Sequence, residues 1–220
     1  EWGFLPQAAL NFLALLGWQK SGSDKDIYSL SELVEAFDFA DINKSGARFD
    51  FDKARWFNQQ YIIATDNDTL ANAIQPLAEA KFGKSYTLDF LSQAARLLKE
   101  RVHFIQDFVS VGSYLFQAPN LQETAEKEAK TWKKIASNWS TTQQTITQFL
   151  SLAANTPLNA EALQNAINEA GIKAGELMPP LRLALAGTMS GAAVLDIVAL
   201  LGLEETSKRI AALHTALSAQ

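Results

Sequence analysis

The sequence predicts an all-α, multi-helix bundle, and three observations carry that expectation. Apolar residues recur at three- and four-residue spacing along nearly the whole chain, and no run shows the period of two that a half-buried strand needs. Gly17, Gly83, Gly171, Gly187 and Gly202 punctuate this pattern at short-helix intervals. Cap chemistry stands at Ser29 and Asp50, each just ahead of an apolar-periodic stretch. With 48% hydrophobic and 20% charged residues the composition suits a globular core. Bundles of this kind are held by interhelix packing more than by propensity.

Taken in order, Pro6 sits at a first helical position, with Leu10, Leu13 and Leu16 on one face and Gly17 as the stop. Ser29-Leu30-Ser31-Glu32 forms a capping box that opens a helix through Phe37. Asp50 caps the next helix, whose buried stripe is Ala54, Phe57, Tyr61 and Ile62; Trp56 and Phe57 read as core rather than as base-stacking platforms. The polar run Asp66-Asn67-Asp68-Thr69 is the earliest boundary signal. A helix from Leu70 to Phe82 is expected to be interrupted at Pro76. Another, Thr87 to Arg101, turns Leu88, Leu91, Ala95 and Leu98 inward, and His103 to Gly112 continues it after a bend.

Pro119 starts a turn, and Leu121 to Trp139 reads as one long charged helix. Helices over Thr141–Ala154 and Asn159–Ala170 follow, broken by Asn155-Thr156-Pro157. Met178-Pro179-Pro180 is expected to be non-helical, because a proline disfavours the helical region at the residue before it. Short helices near Leu181–Ala186, Ala192–Leu201 and Glu204–Ser218 complete the chain.

Composition also limits function. There is no cysteine, so disulfides and thiolate metal sites are excluded. No apolar run approaches the roughly 20 residues of a membrane span, and no secretory leader is visible, so the cytoplasm is expected. The two histidines, His103 and His214, have no catalytic or metal-binding partner at a recognisable spacing, and no glycine-rich phosphate loop follows a strand. No catalytic residue, metal ligand or cofactor is therefore assigned to this chain, which reads as a binding module. It opens at Glu1 and reaches its first helix at once, as a segment of a longer protein would. A net charge of −5 argues against a polyanionic partner, but two local basic stretches stand out. Lys44, Arg48, Lys53 and Arg55 form one; Arg96, Lys99 and Arg101 form the other. On charge alone both would be solvated helix faces.

Four segments resemble bacterial glutamyl-tRNA synthetases, in that family's order. They are Glu1-Trp2-Gly3-Phe4-Leu5-Pro6 running on to Gly17-Trp18; Asn43-Lys44-Ser45-Gly46-Ala47-Arg48-Phe49-Asp50 with Trp56 to Ile62; Arg96 to Arg101; and Pro180-Leu181-Arg182-Leu183-Ala184-Leu185-Ala186-Gly187 continuing to Gly202. The resemblance implies a stem-contact helical domain over 1–68, then a two-part helical anticodon-binding cage over 69–155 and 156–220. The family's His-x-Gly-His signature cannot occur here, and its Lys-x-Ser-Lys loop would lie upstream of Glu1. Adenylation of glutamate with ATP and Mg²⁺ would belong to that other half.

The implied partner is tRNA-Glu, bound by a monomer, with no role for DNA or a membrane. By resemblance, Arg101 takes the position of an arginine that discriminates the third anticodon base. An arginine suits that task, because its planar fork can stack on a base and donate two parallel bonds. Arg182, held by two preceding prolines, would face the anticodon with the loop that carries Thr188, Ser190 and Val194. That loop departs from the family pattern: Ala186 replaces a usual threonine, and Ser190-Gly191-Ala192-Ala193 lacks the commoner Pro-Gly. Lys44, Arg48, Lys53 and Arg55 suit phosphate contacts to the tRNA stem, which position without specifying. Arg48 could equally pair with Asp50 or Asp52. Two other readings stay open: a helical protein–protein scaffold, and the helical cage of a class I lysyl-tRNA synthetase.

Overall fold

The computed structural model describes residues 3–43, 46 and 48–218. Lys44 lies outside the described residues, as do Ser45 and Ala47 of the same segment. Among the described residues the chain is helical wherever it is regular, apart from one isolated antiparallel bridge between Trp18 and Ile42. The chain divides into two compact units: Glu1–Ala80 with Ser85–Ser110, and Lys81–Lys84 with Val111–Gln220.

The first unit begins with α1 (Pro6–Leu15), with proline at its first helical position. Its buried face is Ala8, Asn11 and Phe12, whereas Leu10 and Leu13 are 44% and 58% exposed. Both faces of α1 are apolar, so spacing alone could not choose; α3 (Phe51–Ala64) packs on the Ala8–Phe12–Leu15 side. There Phe12, Ala54 and Phe57 form a cluster joined by Phe4, Leu16 and Ile27. The expected capping box opens α2 (Leu30–Ala36): Ser29 Oγ accepts from the Glu32 N–H, and the Glu32 carboxylate accepts from the Ser29 N–H. Asp50 caps α3 through the Lys53 N–H at 3.1 Å.

Two polar side chains are built into this unit: Asn11 is fully buried and Tyr61 half-buried. Asn11 accepts from the Tyr28 N–H at 2.7 Å and donates to the Asp26 carbonyl at 3.0 Å. The Tyr61 hydroxyl lies within 2.8 Å of Asn11 Oδ1 and 2.6 Å of the Tyr28 carbonyl, and burial above all pushes its pKa up. Buried polar groups persist where their partners are supplied, and here they tie the 23–28 connection to α1 and α3.

The Asp66–Thr69 run is a cap rather than a gap. Asp66 accepts from the Thr69 N–H at 2.8 Å and launches α4 (Asn67–Phe82). Contrary to expectation, Pro76 does not interrupt α4. One proline removes one helical hydrogen bond, and Leu70, Ala71, Ile74 and Ala78 are all buried along the same stripe. Thr87 caps α5 (Leu88–Leu98), which buries Leu91, Ala94, Ala95 and Leu98 as its period requires. Leu88 instead is exposed, being the first residue of the helix. A 3-10 turn, Lys99–Arg101, ends α5, and only Asp107–Ser110 (α6) of the next stretch is helical.

The second unit holds α7 (Ser113–Phe116), α8 (Leu121–Lys127), α9 (Ala129–Ser137), α10 (Trp139–Ala153), α11 (Ala160–Glu169), α12 (Ala174–Ala186) and α13 (Val194–Ser218). The single long helix expected from Leu121 to Trp139 is divided at Glu128 (φ −109°, ψ 33°) and Asn138 (φ −121°, ψ 22°). Each departure re-aims the next helix so that Trp132, Ile135, Ile146 and Phe149 all reach the core.

The largest correction is at the two prolines. Pro179 and Pro180 lie inside α12, not between helices. Leu177, Pro180, Leu181 and Leu183 to Ala186 are buried, so tertiary packing outweighs the two hydrogen bonds that the prolines cannot donate. Gly187 ends α12 in the left-handed conformation (φ 67°), and Gly202 (φ 80°, ψ 164°) bends α13 where a stop was expected.

Candidate nucleic-acid interface

The residues singled out for RNA contact fall into two sets, one in each unit. In the first unit, Arg101 is exposed at the end of the 3-10 turn. That turn is anchored on α3. Gln59 Nε2 donates to the Glu100 carbonyl at 2.8 Å, and Asn58 Nδ2 donates to the His103 carbonyl. Asn58 is fully buried, and its Oδ1 accepts from the Leu5 N–H at 2.7 Å. Asp107 closes the other side by accepting from the His103 and Phe104 N–H groups, both at 2.9 Å. Arg101 thus projects from a backbone fixed on both flanks, which is how a recognition side chain keeps its aim.

The basic stretch on α3 is less uniform than its sequence suggests. Lys53 is exposed, with Nζ 5.9 Å from the Phe57 ring centre. Arg55 lies two residues on, so it points to a different side of the helix. Its guanidinium reaches Asp52 at 3.8 Å, and its Nε is buried with no partner. Arg48 is exposed before α3, and no ion pair joins it to Asp50 or Asp52 among the described residues. Phe57 is fully buried as expected, while Trp56 is 40% exposed and meets Phe57 edge-on at 5.1 Å.

In the second unit, the 187–193 loop is pinned from three sides. Arg182 donates from one guanidinium nitrogen to the carbonyls of Ser190 (3.2 Å) and Ala192 (3.0 Å). The Glu128 carboxylate accepts from the Met189 N–H at 2.9 Å and from the Thr188 hydroxyl at 3.3 Å. Tyr114, which is buried, accepts from the Ala192 N–H at 3.1 Å. At Gly191 (φ 114°) the backbone passes so close that a Cβ would lie 2.9 Å from the Tyr114 hydroxyl.

Beneath the loop, Arg209 is 4% exposed. It donates to the Tyr114 carbonyl (2.6 Å) and the Leu185 carbonyl (2.8 Å) and pairs with Glu205 at 2.7 Å. Thr188 and Ser190 sit at the loop surface, their hydroxyls 3.1 Å apart. Val194 is 4% exposed, so its side chain belongs to the core and is not offered to a partner. Arg182 acts first on the protein's own loop; its second terminal nitrogen is the part of its fork left for a ligand.

Next to this loop, α9, α10 and the first half of α12 enclose a cleft of about 650 Å³ that Met189 also lines. Sequence reading missed Glu128, Tyr114 and Arg209. Their backbone partners lie 24 to 95 residues away in the chain, where no local motif announces them; the Arg209–Glu205 pair alone among these contacts is local. Among the described residues, no group of three His, Asp or Glu side chains is placed to hold a metal ion.

The sequence profile of a family described as the anticodon binding domain matches residues 64–214. The chain belongs to that family. Among curated relatives, the glutamate–tRNA ligase of Flavobacterium johnsoniae is 40% identical over 217 residues, covering 96% of this chain and 41% of that protein. The glutamate–tRNA ligase of Porphyromonas gingivalis is 37% identical over 211 residues, with the same shares. Among solved structures, the glutamate tRNA ligase from Elizabethkingia meningosepticum, in complex with its amino acid, superposes with a TM-score of 0.82. It is 29% identical, and the match covers 98% of this chain and 42% of that one. The glutamate–tRNA synthetase of Elizabethkingia anophelis gives 0.79 at 31% identity. The chain therefore spans about two-fifths of the length of the relatives it matches. The all-helical fold is the one expected, and the anticodon-binding domain contains both the Arg101 turn and the pinned loop.

Proposed function

We propose that this chain recognises tRNA-Glu through its anticodon arm and stem, as part of a glutamate–tRNA ligase. The observation that carries this reading is the pinned 187–193 loop, inside the family's anticodon-binding domain. Its backbone is fixed by Arg182, Glu128 and Tyr114 before any ligand arrives. A splayed anticodon base needs rigid partners, because every side chain that must be ordered on binding weakens the complex. The exposed Arg101 supports discrimination at the third anticodon base. Arg48 and Lys53 support contacts to stem phosphates, with Lys44 and Arg55 as further members of that set. Among the described members, Arg55 is the one most engaged by the protein itself.

In this reading, residues 1–68 contact the stem, and 69–155 with 156–220 form the two parts of the cage. The ligase as a whole would act as a cytoplasmic monomer, and would use ATP and Mg²⁺ on glutamate outside this chain. Filter binding to tRNA-Glu, tRNA-Gln and tRNA-Lys transcripts tests the proposal. Preference for tRNA-Glu is the expected result. Preference for tRNA-Lys would move the chain to a lysyl enzyme, and no binding at low salt would leave it a protein scaffold.

A further inference from the structure

The cleft beside the pinned loop has a chemistry that none of the residues assigned above explains. Although the chain carries a net charge of −5, α9 bears Lys130, Lys133 and Lys134 and no acidic residue. Lys130 and Lys134 stand one helical turn apart, are exposed, and line the cleft; Lys133 does not. From α12 come Pro179 and Pro180, together with Gly175 and Glu176. A helical carbonyl accepts from the N–H four residues on, and prolines have none. The carbonyls of Gly175 and Glu176 are therefore left without a helical donor, and both residues are in the cleft wall. The carboxylate of Glu176 is already answered by Lys173 at 3.2 Å, so it adds little repulsion. Two threonines of α10, Thr141 and Thr145, contribute hydroxyl groups. At about 650 Å³ the space lies within the range of about 300–1,000 Å³ usual for small-ligand sites.

Paired cations, the half-buried Pro179 and carbonyls free of helical pairing together match one kind of guest. Phosphates would meet the lysines; a base or ribose face would lie on Pro179; an exocyclic amine or a 2′-hydroxyl would donate to the carbonyls. We infer that the cleft between α9, α10 and α12 is a ribonucleotide subsite, occupied by a segment of the same tRNA strand that reaches the 187–193 loop through Met189. The inference rests on the tRNA-binding reading and adds to it a phosphate-contacting face on α9.

The test is a salt series of tRNA-Glu binding by the whole 220-residue chain, in three forms. Lys130→Gln/Lys134→Gln removes the two cleft cations. Lys127→Gln/Lys133→Gln removes two cations that do not line the cleft and serves as the charge-matched control. All four lysines are exposed, and circular dichroism checks that the variants keep their helicity. Losing two single-strand phosphate contacts should flatten the slope of log affinity against log salt by about 1.4, at about 0.7 per contact. The inference requires that loss in the cleft variant and a much smaller one in the control. Equal losses would mean a diffuse charge effect and would overturn it, as would no loss in either. An unmodified chain that binds no tRNA at low salt would bring down the tRNA reading itself, and the subsite with it.

Discussion

The backbone N–H of Met189 donates to the carboxylate of Glu128 at 2.9 Å, joining the start of α9 to a loop 61 residues later. The same oxygen takes the Thr188 hydroxyl. Glu128 is where the helix expected to run from Leu121 to Trp139 breaks, and the break aims its carboxylate at the loop. An acidic residue on the proposed RNA-binding surface would be costly if its role were electrostatic. Its geometry shows a role in holding the loop.

This separates charge from position by experiment. Glu128→Ala deletes the acceptor, and tRNA affinity should fall by about 1.5–3 kcal/mol, the usual net worth of a hydrogen bond to a charged group. Glu128→Gln keeps an oxygen in place while removing the charge, and should restore binding. Hydrogen exchange at Met189 supplies the second readout, faster in the alanine variant alone. Stronger binding by both variants would mean that Glu128 acts as a repelling charge.

If Arg101 reads the third anticodon base as proposed, Arg101→Gln should reduce discrimination between tRNA-Glu and tRNA-Gln by about 1–3 kcal/mol. The thermal midpoint should stay put, since Arg101 is exposed and Gln59 and Asn58 hold the turn through its backbone. Competition binding of the two transcripts gives the number. An unchanged ratio would return Arg101 to the status of a solvated arginine.

Arg209 should behave in the opposite way. Arg209→Met leaves the carbonyls of Tyr114 and Leu185 buried without donors, and Glu205 without its partner. A loss of about 2–4 kcal/mol in urea unfolding is expected. Lysine should not rescue it, having no planar fork to serve both carbonyls and the carboxylate. A stability within roughly 0.5 kcal/mol of the parent, the scale of an ordinary surface change, would make the anchor dispensable.

Acid should loosen α2 through its cap. The Lys25 ammonium, then the Ser29 backbone and hydroxyl, hold the Glu32 carboxyl at about 2, against an ordinary 4.5. A carboxyl depressed on folding stabilises the fold above its ordinary value and ceases to do so as pH falls through the depressed one. The midpoint of thermal unfolding should therefore carry a Glu32-dependent decline between pH 4.5 and 2 that Glu32→Gln abolishes. Added salt should shrink the effect, as the Lys25–Glu32 pair is solvent-exposed. An identical decline in both proteins would exclude Glu32 as its source.

Many local signals were readable where the responsible partners lie within one helical turn, although the Asp66 cap, three residues from its partner, read only as a boundary. The Ser29–Glu32 box, the Asp50 cap, the Asn159 start of α11 and the glycine at the end of α12 all came directly from neighbouring residues. Arg101 and Arg182 could be proposed because their segments resemble a family. Their surroundings could not. Asn58, Tyr114 and Glu128 carry no local pattern, Arg209 only its i,i+4 pair with Glu205, and each acts on a backbone group far away in sequence. The two prolines in α12 were misread for a related reason: the rule against helical residues before proline is a local preference, and buried packing over Leu177 to Ala186 overrode it.

The sequence alone determined that this chain is all-helical and where most helices begin and end. Periodicity and caps are short-range, and they add up along the chain. Only the tertiary structure decided which face of α1 is buried, how α12 survives two prolines, and that Arg182, Glu128 and Tyr114 converge on one loop. Those outcomes depend on which apolar stripes meet and on hydrogen bonds closed across tens of residues. No local preference encodes them, because their free energy appears only when the distant partners are in place.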